Sequence, residues 1–432
     1  MSIKLKVIEI LREYRSGKYS NIILGDYIKK NNFTKGEKGF LTEVFYGVIR
    51  NELFLDYMID KRVKSIKKDW IRELLRISFY QITFMNSDEK GVVWEGSELA
   101  KKKYGVPVGK FINGVLRAYL REKEADIKEL KDAGKLDILY SCPMWFYEVS
   151  KKKYGEDLEK FLSSIKKVPY ISFRVNKLKY SEAEFEALLA NEGIGIVKKV
   201  DSIYYVDSGI LLNSKEFSEG KITVQDGASY LSAKNLNPTE GECVIDACSA
   251  PGGKSAVLAE LMNNKGEILA FDIHQHKLKL IDDNCKKLGV DIVKSVKMDA
   301  RKIVHQGKKF DKILVDAPCS GYGVLRKKPE ALYNKNMDNI EELAQLQYEI
   351  LSAASEVVKV GGELVYSTCT ITDEENINNV ERFLKENKNF SVEKLYIPEN
   401  VLGSYDKFGG FQIDYNEEFL DSFYIIKFKK LS

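Results

Sequence analysis

The chain has 432 residues, 44% of them hydrophobic and 31% charged, with 48 aromatics. That composition belongs to a folded protein of several domains and excludes disorder as the main state. No run approaches the roughly 18 apolar residues a membrane helix needs. Charge interrupts the opening Met1-Ser-Ile-Lys-Leu-Lys-Val-Ile-Glu-Ile, so we expect no signal peptide, no membrane partner and a cytoplasmic protein. The net charge of +4 is unevenly placed. Residues 1–135 carry 28 Lys and Arg against 19 Asp and Glu, and the remainder carries 40 against 45. A basic part joined to a mildly acidic one fits a division of labour in which the basic part meets a polyanion. Six cysteines without a Cys-x-x-Cys pair, and only three histidines, exclude a disulfide scaffold and give no metal site.

In chain order, helices are predicted over 2–16, 20–31, 37–59, 68–86, 92–104 and 108–130. Ile71, Leu74, Leu75, Ile77, Phe79 and Ile82 recur at helical spacing as a wide apolar stripe. This is an all-α bundle of about 130 residues. Its early cations, Arg12, Arg15, Lys18, Lys29, Lys30, Lys35 and Lys38, are the first candidates for a phosphate-binding surface. A polar crossing at 131–140 leads to a small α+β domain ending near 225. It has helices over 145–154, 156–165 and 181–191, and strands over 171–176, 196–199, 202–206 and 222–224.

From 226 onward, strands and helices alternate. Helices are predicted at 226–235, 253–263, 275–288, 339–357 and 373–386. Strands are predicted at 243–246, 268–272, 292–296, 310–316, 363–367 and 422–428. The pattern predicts a doubly wound parallel sheet, with late antiparallel edge strands after 386.

Chemistry gathers on one edge of that sheet. The run Asp246-Ala-Cys-Ser-Ala-Pro-Gly-Gly-Lys-Ser255 sits at a strand-to-helix junction. Gly252 and Gly253 allow a tight turn and close approach of a ligand. The spacing matches neither a P-loop nor a dinucleotide fingerprint, so a nucleotide-like ligand without a pyrophosphate fits better. Asp246, Asp272, Asp299 and Asp316 end four successive strands, where open α/β sheets bind ligands. Cys319, in Asp316-Ala-Pro-Cys-Ser320, follows the strand that Asp316 ends, and Cys369, in Ser367-Thr-Cys369, follows the next, a placement that suits a thiolate nucleophile. No histidine shares the edge, so a Cys–His hydrolase is excluded. Arg326, Lys327 and Lys328 follow the first cysteine loop and could hold a phosphate.

The run 246–255, the Asp-Ala-Pro-Cys-Ser of 316–320 and the Ser-Thr-Cys of 367–369 resemble the signature of the RNA (cytosine-5) methyltransferases of the NOL1/NOP2/Sun family. Residues 1–130 resemble a NusB-type helical fold, notably at Ile71-Arg-Glu-Leu-Leu-Arg-Ile-Ser-Phe-Tyr-Gln and Lys110-Phe-Ile-Asn-Gly-Val-Leu-Arg117. Residues 140–225 resemble the small domain that precedes the catalytic one. The three-part order is similar to that of the family's bacterial 16S rRNA branch, the RsmB/Sun type.

The resemblance implies a Rossmann-like methyltransferase domain over 226–432 that uses S-adenosyl-L-methionine. It also implies 16S rRNA as substrate and the cytosine at position 967 as target. Cys369 would be the nucleophile, Cys319 the partner that releases product, and Asp316 would lie by cofactor and target base. Cys248, Ser249, Ala250, Pro251, Gly252, Gly253 and Lys254 would hold the methionine end of the cofactor, Asp272 its ribose and Asp299 its adenine. A monomer without an obligate protein partner is expected. The family's usual His and Thr-Asp-Gly-Phe-Phe segment is replaced here by Gly409-Gly-Phe-Gln-Ile-Asp-Tyr and Phe419-Leu-Asp-Ser-Phe-Tyr, so the last loop is expected to close the base pocket differently. On the residues alone, another rRNA or tRNA cytosine, a non-catalytic RNA-binding assembly factor and an NAD enzyme remain open.

Overall fold

The computed structural model describes residues 2–17, 20–334 and 336–432. It divides into two compact units, one of residues 1–166 with 332–334 and one of 167–331 with 335–432. Among the described residues no helix is long and apolar enough to cross a membrane.

The first unit is helical: α1 (Ile3–Tyr14), α2 (Ser20–Lys30), α3 (Lys35–Arg50), α4 (Glu52–Asp60), α5 (Asp69–Phe84), α6 (Glu89–Tyr104), α7 (Val106–Asp132), α8 (Leu136–Leu139), α9 (Met144–Tyr154) and α10 (Leu158–Ser164). A capping box fixes the start of α3, Thr34 accepting from Glu37 N and Glu37 reaching back to Thr34. The predicted helix 37–59 is two helices. Asn51 bonds back to the Gly47 carbonyl 2.9 Å away, and the Ser141 hydroxyl accepts from Leu53 N at 2.8 Å, capping α4 from 88 positions along the chain. The stripe of α5 is buried as expected, with Phe79 stacked on Tyr119 of α7 at 3.8 Å between centroids. The unit extends past residue 130: Lys166 donates to the Arg50 and Ser141 carbonyls, and Tyr333 to the Ser141 carbonyl. Of the early cations, Arg15 is engaged by Glu52 and Glu73 rather than held out for phosphate. Lys18 lies outside the described residues.

The second unit opens with β1 (Ile171–Val175), α11 (Glu182–Asn191), β2 (Ile196–Val200), β3 (Ile203–Val206), α12 (Lys215–Ser218) and β4 (Ile222–Val224). Their sheet is antiparallel, ordered β2-β3-β1-β4. Next come α13 (Gly227–Leu236), β5 (Cys243–Asp246), α14 (Gly253–Leu261), β6 (Glu267–Asp272), α15 (Gln275–Leu288), β7 (Val293–Lys297), β8 (Phe310–Asp316), α16 (Met337–Val357), β9 (Val358–Thr368) and α17 (Ile377–Glu386). The chain then adds β10 (Phe390–Glu393), β11 (Gly403–Tyr405), β12 (Phe411–Ile413) and β13 (Tyr424–Lys430).

The large sheet runs β11-β12-β13-β9-β8-β5-β6-β7, with β10 on β13. Strands β5 to β9 are parallel and β10 to β13 antiparallel. This is the methyltransferase sheet the resemblance implies. Apolar runs such as Ile268–Phe271 and Ile313–Val315 are covered on both faces, as buried parallel strands require. The predicted helix 373–386 begins only at Ile377, and 373–376 is a turn. The last strand is not an edge: β13 lies between β9 and β12. Between β5 and β8 the strand order reverses, which opens a crevice at the strand ends.

Candidate active site

The crevice at that reversal is a cavity of about 1100 Å³. Cys248, Ala250, Lys254, Asp272, Asp299, Asp316, Cys319 and Cys369 all line it. The register explains the convergence. Asp316 on β8 stands opposite Ser367 on β9, and Ala317 N bonds to the Ser367 carbonyl at 3.0 Å. Both cysteine loops therefore leave the sheet at the same level, and the sulfurs of Cys319 and Cys369 come within 3.1 Å. The pair titrates asymmetrically. The hydrogen bond between them, with burial, pushes the Cys319 thiol well up. The same bond draws Cys369 down against its own burial, so of the two thiols Cys369 is the one favoured to ionise.

Asp316 accepts from the Ser367 hydroxyl at 3.0 Å and pairs with Lys254 at 2.7 Å. Burial works to lower the Lys254 ammonium, and Asp316 more than offsets it. Lys254 also lies 5.5 Å from the Phe423 ring. Sequence reading placed Lys254 with the cofactor and did not foresee this pairing.

The 248–254 loop is shaped from within. Ser249 is tied to the Phe271 carbonyl through both its amide and hydroxyl. Gly252, at φ +94°, takes a left-handed turn that a side chain would strain. Ser249, Pro251, Gly252 and Gly253 shape the loop without lining the cavity.

Asp246 corrects the expectation of four acids in the crevice. It is fully buried, accepts from Ser255 at 2.6 Å and does not line the cavity. Burial first, then Asp316, raises its carboxyl to about 6. Against an unfolded value of about 3.9, the stability of its neutral form is complete below about pH 4 and lost as pH climbs through about 6. Asp246→Asn is therefore expected to stabilise the protein at neutral pH by roughly 3 kcal/mol and to flatten its pH dependence between about 4 and 6. Thermal melting across a pH series checks this.

Arg326 is the second correction. Its guanidinium is buried and donates to the carbonyls of Glu417, Glu418 and Leu420, which leaves it no role on phosphate. Its neighbour Lys327 pairs with Asp226 and Asp421. A Cβ on Gly323 would meet the Ser422 carbonyl oxygen at 1.8 Å, and Gly323 N bonds to the Cys369 carbonyl at 2.9 Å. The first cysteine loop is thus stitched to the second and to the atypical last loop, whose Asp421 and Phe423 wall the cavity. Arg326→Ala is expected to cost about 3 kcal/mol of stability. The salt slope of RNA binding should stay unchanged, where loss of a phosphate contact would reduce it by about one. Lys328 does reach the cavity.

The lining also suits a nucleoside. Asp272 ends β6 with one oxygen on His274 N at 2.8 Å and the other 3.8 Å from Lys277, free to accept from a diol. Met298, Ala300, Leu346 and Ile350 give an apolar slot beside it. Asp299 is at the slot but its carboxylate is held by Arg301, at 2.7 Å to Nη2. A single small-ligand pocket is about 300–1,000 Å³, so this cavity has room for a base beside a cofactor.

Fold and site together define a Rossmann-like methyltransferase. Residues 233–429 match the family model described as 16S rRNA methyltransferase RsmB/F. Residues 1–121 match the NusB family, and 142–216 the RsmF/B-like ferredoxin-like domain. A Bacillus subtilis (strain 168) protein named "Probable ribosomal RNA small subunit methyltransferase B" is 37% identical over 396 residues, spanning 89% of this chain and 88% of its own. The chain belongs to the ribosomal RNA small subunit methyltransferase B family. Among solved structures, "Crystal Structure of PH0851" is 31% identical with a TM-score of 0.82, covering 100% of this chain and 99% of that one. NSun6 from Pyrococcus horikoshii, solved with SFG, is 26% identical with a TM-score of 0.61, covering 67% of this chain and 98% of its own.

Proposed function

We propose that this protein methylates C5 of one cytosine in 16S rRNA, the cytosine at position 967, through a covalent bond between Cys369 and C6, in the cytoplasm. The observation that carries the reading is the pair of sulfurs 3.1 Å apart on the wall of a nucleoside-sized cavity. Asp272, the apolar slot and the 248–254 loop would hold S-adenosyl-L-methionine, which when bound supplies an electrophilic methyl group on a sulfonium.

Cytosine C5 is a poor nucleophile. Addition of the Cys369 thiolate to C6 forms the S–C6 bond and makes C5 an enamine-like carbon able to take a methyl group. Addition builds charge toward N3, and the Lys254–Asp316 pair offers a proton and a fixed charge at that edge. After methylation C5 gives up its proton to a base in the site, the C–H electron pair restores the C5=C6 double bond as the S–C6 bond breaks, and the departing thiolate recovers its hydrogen bond from Cys319. The base must leave its stack to enter the cavity, which an unpaired loop makes cheap.

Bisulfite mapping of 16S rRNA tests the target. A strain lacking the gene should lose methylation at one small-subunit cytosine and regain it with the intact chain. Methylation that persists without the gene overturns the assignment.

A further inference from the structure

Glu375 has no role in the scheme above, yet it has no exposed surface. Four donors converge on its carboxylate. Ser320 N and Gln347 Nε2 each bond to one oxygen at 2.8 Å, and the Thr372 hydroxyl at 2.6 Å and the Ser320 hydroxyl to the other. Two of these donors are obligatory. A backbone N–H can only donate. Gln347 is fixed in orientation, because its Oε1 accepts from Asn379 while its Nε2 also holds the Pro318 carbonyl. The set suits an ionised carboxylate. Ser320 directly follows Cys319, and Thr372 belongs to the loop that carries Cys369, so one carboxylate joins both cysteine loops. Its charge sits against the Cys319 side. Lys254 and Lys328 line the cavity with both cysteines, and their charges favour ionisation of Cys369.

We infer that Glu375 is a positioning residue that assigns the two thiols their different states: its fixed negative charge beside the Cys319 loop keeps the shared proton on Cys319 and leaves Cys369 as the nucleophile. This rests on the two-cysteine reading above and adds the source of the asymmetry. Apart from Asp316, which opposes ionisation of both thiols, the charged groups facing the pair agree in sign. Glu375 and Asp316 oppose ionisation of Cys319. Lys254 and Lys328 favour ionisation of Cys369, with Asp316 opposing. Tyr366, bonded to the Glu375 carbonyl at 2.6 Å, stays neutral through burial.

Iodoacetamide alkylation across about pH 6 to 10, read at each cysteine by mass spectrometry, tests this without RNA or cofactor. In the unmodified protein Cys369 should react at least about tenfold faster than Cys319 at neutral pH. Glu375→Gln should bring the two rates within about threefold. Glu375→Asp, which keeps the charge, should restore most of the difference, and Glu374→Gln should change nothing. An unchanged ratio in folded Glu375→Gln overturns the proposal, as does a loss of the ratio in folded Glu375→Asp equal to that in Gln. If the Glu375 variants do not fold, Cys369→Ala decides. Cys319 alone should then titrate above the ordinary thiol value of about 8.5, and a midpoint at or below it overturns the proposal. A failed rRNA assay would sink the methyltransfer reading and leave these thiol measurements intact.

Discussion

Cys369→Ala is expected to abolish methyl transfer, by at least about 10⁴-fold in single turnover, while cofactor binding changes by no more than about twofold. Loss of the group that makes the covalent bond removes the step that turns C5 into a nucleophile, and related losses of covalent nucleophiles reach this size. The side of the cavity proposed to hold the cofactor is built from Asp272, Met298, Ala300 and Ile350, which belong to other elements. Isothermal calorimetry with S-adenosylmethionine and a tritium-transfer assay separate the two effects. Full turnover by the variant would dismiss Cys369 as the nucleophile.

Cys319→Ala should behave in the opposite way. Cys319, whose thiol the shared bond and burial push up, stands 3.1 Å from the sulfur that leaves C6 in the proposed scheme. Without it, addition slows as Cys369 loses the bond that lowers it. Release should slow far more. The expected result is an RNA–protein adduct that survives denaturation and migrates as a shifted band, absent from the Cys319→Ala/Cys369→Ala double variant. Free turnover with no adduct would remove Cys319 from product release.

Much of this was legible in the sequence where a short-range pattern governs. Apolar runs placed β5 to β8, and Asp316 and Cys319 could be set at one strand end because they lie three positions apart. What the sequence hid was long-range. The break at Asn51 depends on Ser141, far along the chain. Arg326 looked like a solvated cation beside Lys327 and Lys328, and only the arrival of the carbonyls of 417–420 shows it to be buried. Glu375 lay inside a stretch that reads as an exposed helix, Asp373-Glu-Glu-Asn376. The structure makes that stretch a turn, and a turn can aim one carboxylate inward where a solvated helix face would not. The 3.1 Å approach of two sulfurs 50 positions apart is likewise a product of register between β8 and β9.

The placement of β13 bears on how the protein comes into being. Its pairing with β9 runs from Tyr424 opposite Thr368 to Lys429 opposite Glu363, so it covers the flank of the strand that carries Cys369. Until Tyr424–Lys430 has left the ribosome and docked, β9 presents a long row of unpaired amides and carbonyls around the buried Leu364, Val365 and Tyr366. Such an edge is a template for aggregation. Docking of β13 is therefore expected to secure the flank of the Cys369-bearing strand and the solubility of the sheet together. A product cut before Tyr424 should collect in inclusion bodies rather than persist as a weakened enzyme.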